Sequence, residues 1–599
     1  MFHKIHKRPC LVLIPLLILL LCSLLLLSGC SLRQNKLEKN FEALMNEYFT
    51  EEVKADSISL NYSLAEPEKY GITDAKVTLG ECSISQMQQD LCLSENYLKR
   101  LSSLNQRKLT PESQLTYQIV KKYLETNLAL GYYNYYSENL GPTTGIQAQL
   151  PILLAEYSYY DREDIEAYLK LLPCVYDYFE DIVQFEREKS RQGLFMSDAV
   201  AKRIIKQCEA FIADPENNFL IEYFNEKILG YQGLSKEEIL DYESRNAKAV
   251  SEYVIPAYRM LSDALKELLG TGTNDQGLYY YPEGQSYYQC LVKSETGSDK
   301  SMTEMMDLLD GAIAKGIGEI TALTIAKPDL VEHYMKFSSF PLTDPEKILA
   351  DLKEDIQKDF PEAIPVDCNI KYVPASLSDY LSPAMYLVPP IDDFQSNDIY
   401  INGRDKDTLA YIYTTVAHEG YPGHLYQCVY FRNSKPDPIR SILEFSGYDE
   451  GWATYVELYS YRYAGIDQAL ADFLRTNNII ILSMYARADI GIHYEGWTEK
   501  ETVKYVKNFI GDTKTAKRIY QTLLEEPGIY LPYAIGYLEI AELKEKAMLT
   551  LGSRFSDKDF HKFLLDIGPA QFSIIDERLD AWLEEKLMTN LSKTKVATK

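Results

Sequence analysis

Positive charge is scarce in this chain. Its 599 residues include 62 Lys and Arg against 88 Asp and Glu, a formal net charge of −26. The acids are spread along the chain rather than blocked, which favours solubility. Nucleic acid requires a basic footprint and an anionic membrane surface requires polybasic segments, so neither fits as a partner. Cysteine is also sparse, and no two cysteines form a Cys-x-x-Cys pair. That excludes a disulfide-dense scaffold at this size and a cysteine-type zinc site. Beyond Cys30 the cysteines are Cys82, Cys92, Cys174, Cys208, Cys290, Cys368 and Cys428, an odd number. Cys82 and Cys92 are close enough in sequence to bridge, but buried free thiols are expected for most of the seven. No internal repeat and no low-complexity block interrupts the chain. Histidine is rare as well, with seven in all, so two of them inside one heptad carry information.

What is present begins with a targeting segment. Lys4, Lys7 and Arg8 precede an apolar run from Leu11 to Leu27, which ends in Leu27-Ser28-Gly29-Cys30. A basic start, an apolar stretch and small residues before a cleavage point mark a secretory signal. Leu-Ser-Gly-Cys matches the lipobox of bacterial lipoproteins, in which the cysteine becomes the lipidated first residue. The alternative is an uncleaved anchor, since the run is nearly long enough to span a bilayer. Either way the rest of the chain lies outside the cytoplasmic membrane, and the expected place is the cell membrane's extracytoplasmic face, lipid-anchored through Cys30. Removing residues 1–29 takes away three cations and no acid, so the mature chain is more acidic still.

The remainder divides, on this reading, into a polar tether over 30–40, a helical region over 41–330 and a second region over 331–590. Thr110-Pro111-Glu112 opens a helix with proline at its first position, and Leu115, Ile119 and Tyr123 follow at four-residue steps. Ser235 to Glu238 and Thr498 to Glu501 are capping boxes. Asp344-Pro345-Glu346 opens a further helix. Gly270 to Asp275 reads as a loop, and Pro374 to Asp393 as an irregular stretch. Asp398 to Asn402 has β-type residues and ends at Gly403, so it reads as a short strand. Such a strand beside a catalytic helix can bind peptide backbone by strand addition, or it can simply connect a small sheet. The abundant tyrosines, such as Tyr279 to Tyr281 and Tyr287-Tyr288, read mostly as packing residues.

Residues 418–424 read His418-Glu419-Gly420-Tyr421-Pro422-Gly423-His424, and Glu450-Gly451-Trp452-Ala453 begins 26 residues later. Two imidazoles and a carboxylate are what a catalytic zinc takes while leaving one position open. A glutamate beside the first histidine can act as general base. The spacing is unusual. In His-Glu-x-x-His the histidines sit four apart on one helix face; here they are six apart, about 120° round a straight helix and about 9 Å along it. Pro422 offers no N–H to the His418 carbonyl and clashes with it, and Gly423 opens backbone angles closed to other residues. The two extra residues are therefore expected to loop out and return His424 to the face of His418.

This heptad with Glu450-Gly451-Trp452-Ala453-Thr454-Tyr455-Val456-Glu457 resembles the bacterial family called domain of unknown function 885, grouped with helical, gluzincin-like zinc metallopeptidases. Gly277-Leu278 through Tyr287-Tyr288, Arg487-x-Asp489-x-Gly491-x-His493 and Pro527-Gly528 to Tyr533-x-x-Gly536 extend the resemblance over roughly residues 40–590. It implies a mainly α fold: a large helical metallopeptidase-like body with a cleft, and a small β-sheet beside the metal-binding helix. It implies zinc held by His418, His424 and Glu450, with Glu419 as general base and His493 or Tyr533 supporting the oxyanion. Glu457, two turns beyond Glu450, is the alternative third ligand, read in preference as a residue that orients a metal histidine. Arg487 and Asp489 read as an ion pair, and His333 and His561 as structural. Ile529 and Ala534 depart from the family pattern, which affects expectations of substrate binding rather than of the metal chemistry.

The expected activity is a surface-anchored zinc metallopeptidase acting on short peptides. Two alternatives stand beside it: a zinc-dependent amidohydrolase acting on cell-envelope or acylated amino-acid substrates, and a non-catalytic peptide-binding lipoprotein. Retention of Glu419 speaks against the last, since a binder has no use for a general base.

Overall fold

Helix starts fall where the capping residues put them. In the computed structural model, which describes residues 34–373, 382–404 and 409–597 with side chains to residue 588, Thr110 caps α1 (Pro111–Gly131). Asp344 caps the helix that opens at Pro345. Both expected capping boxes, Ser235 with Glu238 and Thr498 with Glu501, form reciprocally. The signal segment and Cys30 lie outside the described residues. The tether does not extend to residue 40: a helix covers residues 34–53. Leu37, Phe41, Leu44 and Tyr48 lie at helical spacing beneath its charged side chains and pack into the core.

The chain is mainly α. Its largest core joins both ends of the sequence, with Phe41, Phe49 and Val120 in one cluster with Ile348, Trp452, Phe560 and Ile575. A second core surrounds α2 (Arg162–Arg191), where Ile165, Phe179 and Ile182 share a cluster with Ile204, Phe224 and Leu261. The expected division at residue 330 therefore does not divide the core, because residues 41–124 pack with the C-terminal half. Tyr287 and Tyr288, at the start of α3 (Gly284–Thr296), are buried, while Tyr279 and Tyr280 are exposed. All seven described cysteines are free, Cys82 buried and Cys92 exposed, so the bridge between them does not form.

The one sheet among the described residues has three strands: β1 (Asp367–Tyr372), β2 (Ala384–Leu387) and β3 (Ser396–Ile401), in the order β1-β3-β2. β3 pairs parallel with β1 and antiparallel with β2, Ile399 standing between Ile370 and Tyr386. β3 is the strand expected at 398–402. Being central, it has both edges paired and cannot take up a peptide. β2 lies inside the stretch read as irregular, of which residues 374–381 are outside the described residues. Only four apolar residues, flanked by Pro383 and Pro389-Pro390, mark it.

After the sheet come α4 (Ile412–Glu419), α5 (His424–Asn433), α6 (Ser446–Ser460), α7 (Gln468–His493), α8 (Leu531–Leu551) and α9 (Asp557–Ile567). α6 and α8 pack on each other more extensively than any other pair of elements described. They cross at glycines: a Cβ on Gly451 would sit 2.5 Å from the Gly536 carbonyl carbon. No described helix is long and apolar enough to cross a membrane.

Candidate metal centre and its cavity

The His418–His424 heptad is two helices joined by a tight loop. α4 stops at Glu419, because Pro422 has no N–H for the His418 carbonyl. The Gly420 N–H donates to the Val416 carbonyl at 2.9 Å and closes the helix. Gly423 lies against the His418 carbonyl oxygen, where any Cβ would collide with it. α5 then begins at His424 itself. The Trp452 indole N–H donates to the Pro422 carbonyl at 3.0 Å and ties this loop to α6. The result brings the two imidazoles together, ring centroids 4.8 Å apart and nearly perpendicular.

Glu450, one turn into α6, completes the cluster. Its Oε2 is 3.4 Å from His418 Nε2 and 3.5 Å from His424 Nε2. One ligand atom from each of His418, His424 and Glu450 lies within 4.8 Å of the other two. Glu450 Oε2 is buried and has no hydrogen-bond partner. A buried carboxylate oxygen left in that state is costly unless something positive meets it. Two imidazoles and one carboxylate converging on such an atom form a donor set suited to zinc, which binds the imidazoles in their neutral form. Glu457 sits behind His418, its Oε2 3.1 Å from Nδ1.

Electrostatics follow from this crowding. Burial alone would lower the His418 pKa, but Glu450 and Glu457 outweigh it and raise it well above the usual value. Burial opposes ionisation of Glu450, yet the two histidines hold its pKa far down. The Glu419 pKa is raised, chiefly by burial, with His418 and His424 pulling the other way. Glu419 Oε2 accepts the Tyr386 N–H of β2 at 2.8 Å. Tyr386 points this N–H away from β3, and residues of an antiparallel strand alternate, so Ala384 turns its own N–H to the same open edge.

Tyr533, at the start of α8, stacks over His418 with centroids 6.3 Å apart. Burial, Glu450 and Glu419 all push its hydroxyl pKa up. His493 is not at this site. It is buried at the end of α7, where Nδ1 accepts the Leu278 N–H at 3.1 Å and Nε2 meets the Leu523 carbonyl at 2.8 Å. Both ring nitrogens are engaged in the core, so it cannot serve as the oxyanion donor the resemblance implied. Arg487 and Asp489 do not pair: Arg487 holds Glu495 at 2.7 Å, while Asp489 accepts from Tyr288 and from the Gly528 N–H. His561 is a core residue, between the Tyr455 hydroxyl and the Asp359 carbonyl.

A cavity of about 610 Å³ contains the cluster, within the range of small-molecule sites. His418, Glu419, His424, Glu450, Glu457 and Tyr533 line it, with Ala384 and Tyr386 from β2. Glu450 and Tyr533 also line a neighbouring cavity of about 400 Å³, which Ile529 enters, while Ala534 is core. The first cavity continues along α5 through Gln427, Cys428 and Phe431 to Arg432, and on to Arg440 and Ser441. The Tyr386 N–H, Arg432 and Arg440 had no motif to announce them.

The model for bacterial proteins of unknown function DUF885 matches residues 67–579. The chain belongs to this family. Its fold is shared with a "putative lipoprotein" from Colwellia psychrerythraea, at a TM-score of 0.80 and 18% identity over 92% of this chain and 99% of that one. A "putative lipoprotein of unknown function" from Shewanella oneidensis aligns at a TM-score of 0.62 and 16% identity, over 90% and 99% of the two chains. No curated protein sequence matches it significantly. DUF885 thus supplies a fold and no activity, and what the site does must be argued from its residues.

Proposed function

We propose that this protein is a lipid-anchored, zinc-dependent peptidase that hydrolyses short peptides on the extracytoplasmic face of the membrane. The observation that carries the reading is the convergence of His418, His424 and Glu450 around a buried, unpartnered Glu450 Oε2, with Glu419 beside them. His418, His424 and Glu450 would hold the ion, and Glu457 would fix the His418 ring by accepting from Nδ1. When bound, zinc acidifies a water molecule and polarises a carbonyl.

The other steps belong to the protein. The Tyr386 N–H occupies Glu419 Oε2 and fixes that side chain, leaving Oε1 to take the water proton and pass it to the leaving amine. Tyr533 remains in protonated form through its raised pKa, so its hydroxyl can donate to an oxygen that gains charge beside Glu450. Burial raises the Glu419 pKa above the usual carboxylate value, the direction that favours a general base. Anchoring rests on Leu27-Ser28-Gly29-Cys30, and the two structural relatives described as lipoproteins are in keeping with it.

The test is to measure bound zinc and the cleavage of a mixed peptide library for soluble protein from residue 31 onward and for Glu419→Gln. Wild type is expected to carry about one zinc per chain and to cut peptides. Glu419→Gln should keep the zinc and lose roughly 10²–10⁴ in turnover. Hydrolysis undiminished in Glu419→Gln with zinc still bound would overturn the reading. Peptide affinity without turnover in the wild type would leave a binding lipoprotein instead.

A further inference from the structure

The wall of the cavity beyond His424 carries two arginines, with Asp449 of α6 close to Cys428 on the same lining. His424, Gln427, Cys428, Phe431 and Arg432 all line the cavity at i, i+3, i+4, i+7 and i+8, so one face of α5 forms this wall. Arg432 stands about 12 Å along the helix from His424, the span of three or four extended peptide residues before its side chain reaches back. Arg440 reaches the same cavity from the turn before α6.

Both guanidinium groups are buried, and among the described residues neither has a carboxylate within 4.0 Å. Their bonds go to the backbone. Arg432 Nη1 donates to the carbonyls of Pro389 and Pro390, and Arg440 Nη2 to those of Ile567, at 2.5 Å, and Pro569, at 3.3 Å. Arg440 Nε and the neighbouring Ser441 Oγ are buried without any partner. Asp437 and Glu112 act on Arg440 through their charge and not by contact. A guanidinium has five donors and no acceptor, and a buried charge without a counter-ion is costly. In a chain with net charge −26, two such cations beside a candidate metal centre stand out.

We propose that Arg432 and Arg440, with Ser441, form a carboxylate-binding wall that selects substrates carrying a carboxylate a few residues from the bond to be cut. The guanidinium fork matches a carboxylate in two parallel hydrogen bonds, and the unused Arg440 Nε and Ser441 hydroxyl supply the remaining donors. The carboxylate is that of a free peptide C-terminus or of an acidic side chain. The choice of a peptide as its carrier rests on the hydrolase reading above.

The experiment compares three probes on the zinc-loaded chain: tetra-alanine free acid, tetra-alanine amide, and the amide with a terminal glutamate. The free acid is expected to have a kcat/KM 10- to 100-fold above that of the amide. If the glutamyl amide matches the free acid, the wall accepts a carboxylate from the C-terminus or from a side chain; if it matches the plain amide, it accepts the C-terminus alone. Arg432→Gln and Arg440→Gln should each bring the acid-to-amide ratio towards one, through KM more than kcat. Equal rates for acid and amide, or a ratio untouched by both substitutions, overturns the proposal while leaving peptidase activity standing. Where nothing is cleaved, calorimetric binding of the acid and the amide decides. Preference for the acid that fades in the variants supports the wall although the peptidase reading has failed, and equal affinity overturns it. The wild-type comparison holds even where a backbone-clamping arginine cannot be removed without unfolding.

Discussion

Glu457 and His418 face each other across 3.1 Å, on the ring nitrogen opposite the one that faces Glu450. One imidazole thus separates two carboxylates, to which the proposed metal site gives different tasks. Glu450→Gln is expected to abolish tight zinc binding. Glu457→Gln should cost 10- to 100-fold in affinity, the usual effect of losing a partner that orients a metal histidine. Competition against a fluorescent chelator measures both. The reverse order would assign the third ligand to Glu457.

The crossing of α6 and α8 leaves no room for a methyl group. Gly536→Ala would press a Cβ against the Gly447 carbonyl, and Gly451→Ala against Gly536. Each should destabilise by about 1–3 kcal/mol, the range for overpacking. Because Glu450 and Tyr533 ride on these two helices, zinc affinity should fall with stability. Denaturant unfolding and zinc titration on the same samples check the pair.

Tyr533 and His493 should respond in opposite ways. Tyr533→Phe keeps the ring over His418 and is expected to lower kcat with little change in stability or zinc content. His493→Gln breaks the core bonds to Leu278 and Leu523, so it should lower stability and leave the kcat of the surviving folded enzyme unchanged. A kcat deficit in folded His493→Gln would place that residue back at the chemistry.

Burial, aided by Lys544, depresses the His561 pKa from 6.5 to about 3. The unfolded chain then takes up a proton that the native chain refuses. Stability is full above pH 6.5 and falls as pH drops towards 3, by about 1.4 kcal/mol per pH unit for this one group. Between pH 7 and pH 5 the wild type should lose roughly 2 kcal/mol more than His561→Gln does. Urea midpoints at the two pH values report the difference, and equal losses in both proteins would refute it.

Cys30→Ala should abolish labelling by a fatty-acid analogue, with the precursor accumulating or the mature chain released. Label persisting on the variant would remove the lipobox reading.

Much of the local structure was legible in the residues themselves. Thr110, Ser235, Asp344 and Thr498 start helices where their capping chemistry says, and Pro422 with Gly423 breaks the heptad as the missing N–H requires. The convergence of the two histidines with Glu450 was legible because a metal-type motif restricts residue type and spacing together. His493 was misread because a motif position says nothing of burial: its Nδ1 partner is 215 residues away. β2 was hidden by its four-residue length, and with it the Tyr386 N–H that holds Glu419. Arg432 and Arg440 look like surface cations until the fold encloses them.

The core sewn from both ends has a consequence for how the chain reaches its native state. The helix over residues 34–53 is made first, but its buried face shares a cluster with residues as late as Phe560 and Ile575. High contact order of this kind slows folding, because long loops close before their contacts repay them. Until the last tenth of the chain has arrived, Phe41 and the residues that share its cluster are only partly covered. They are the surface a holding chaperone would grip, and truncation ahead of α9 should turn the protein from a soluble product into an aggregating one.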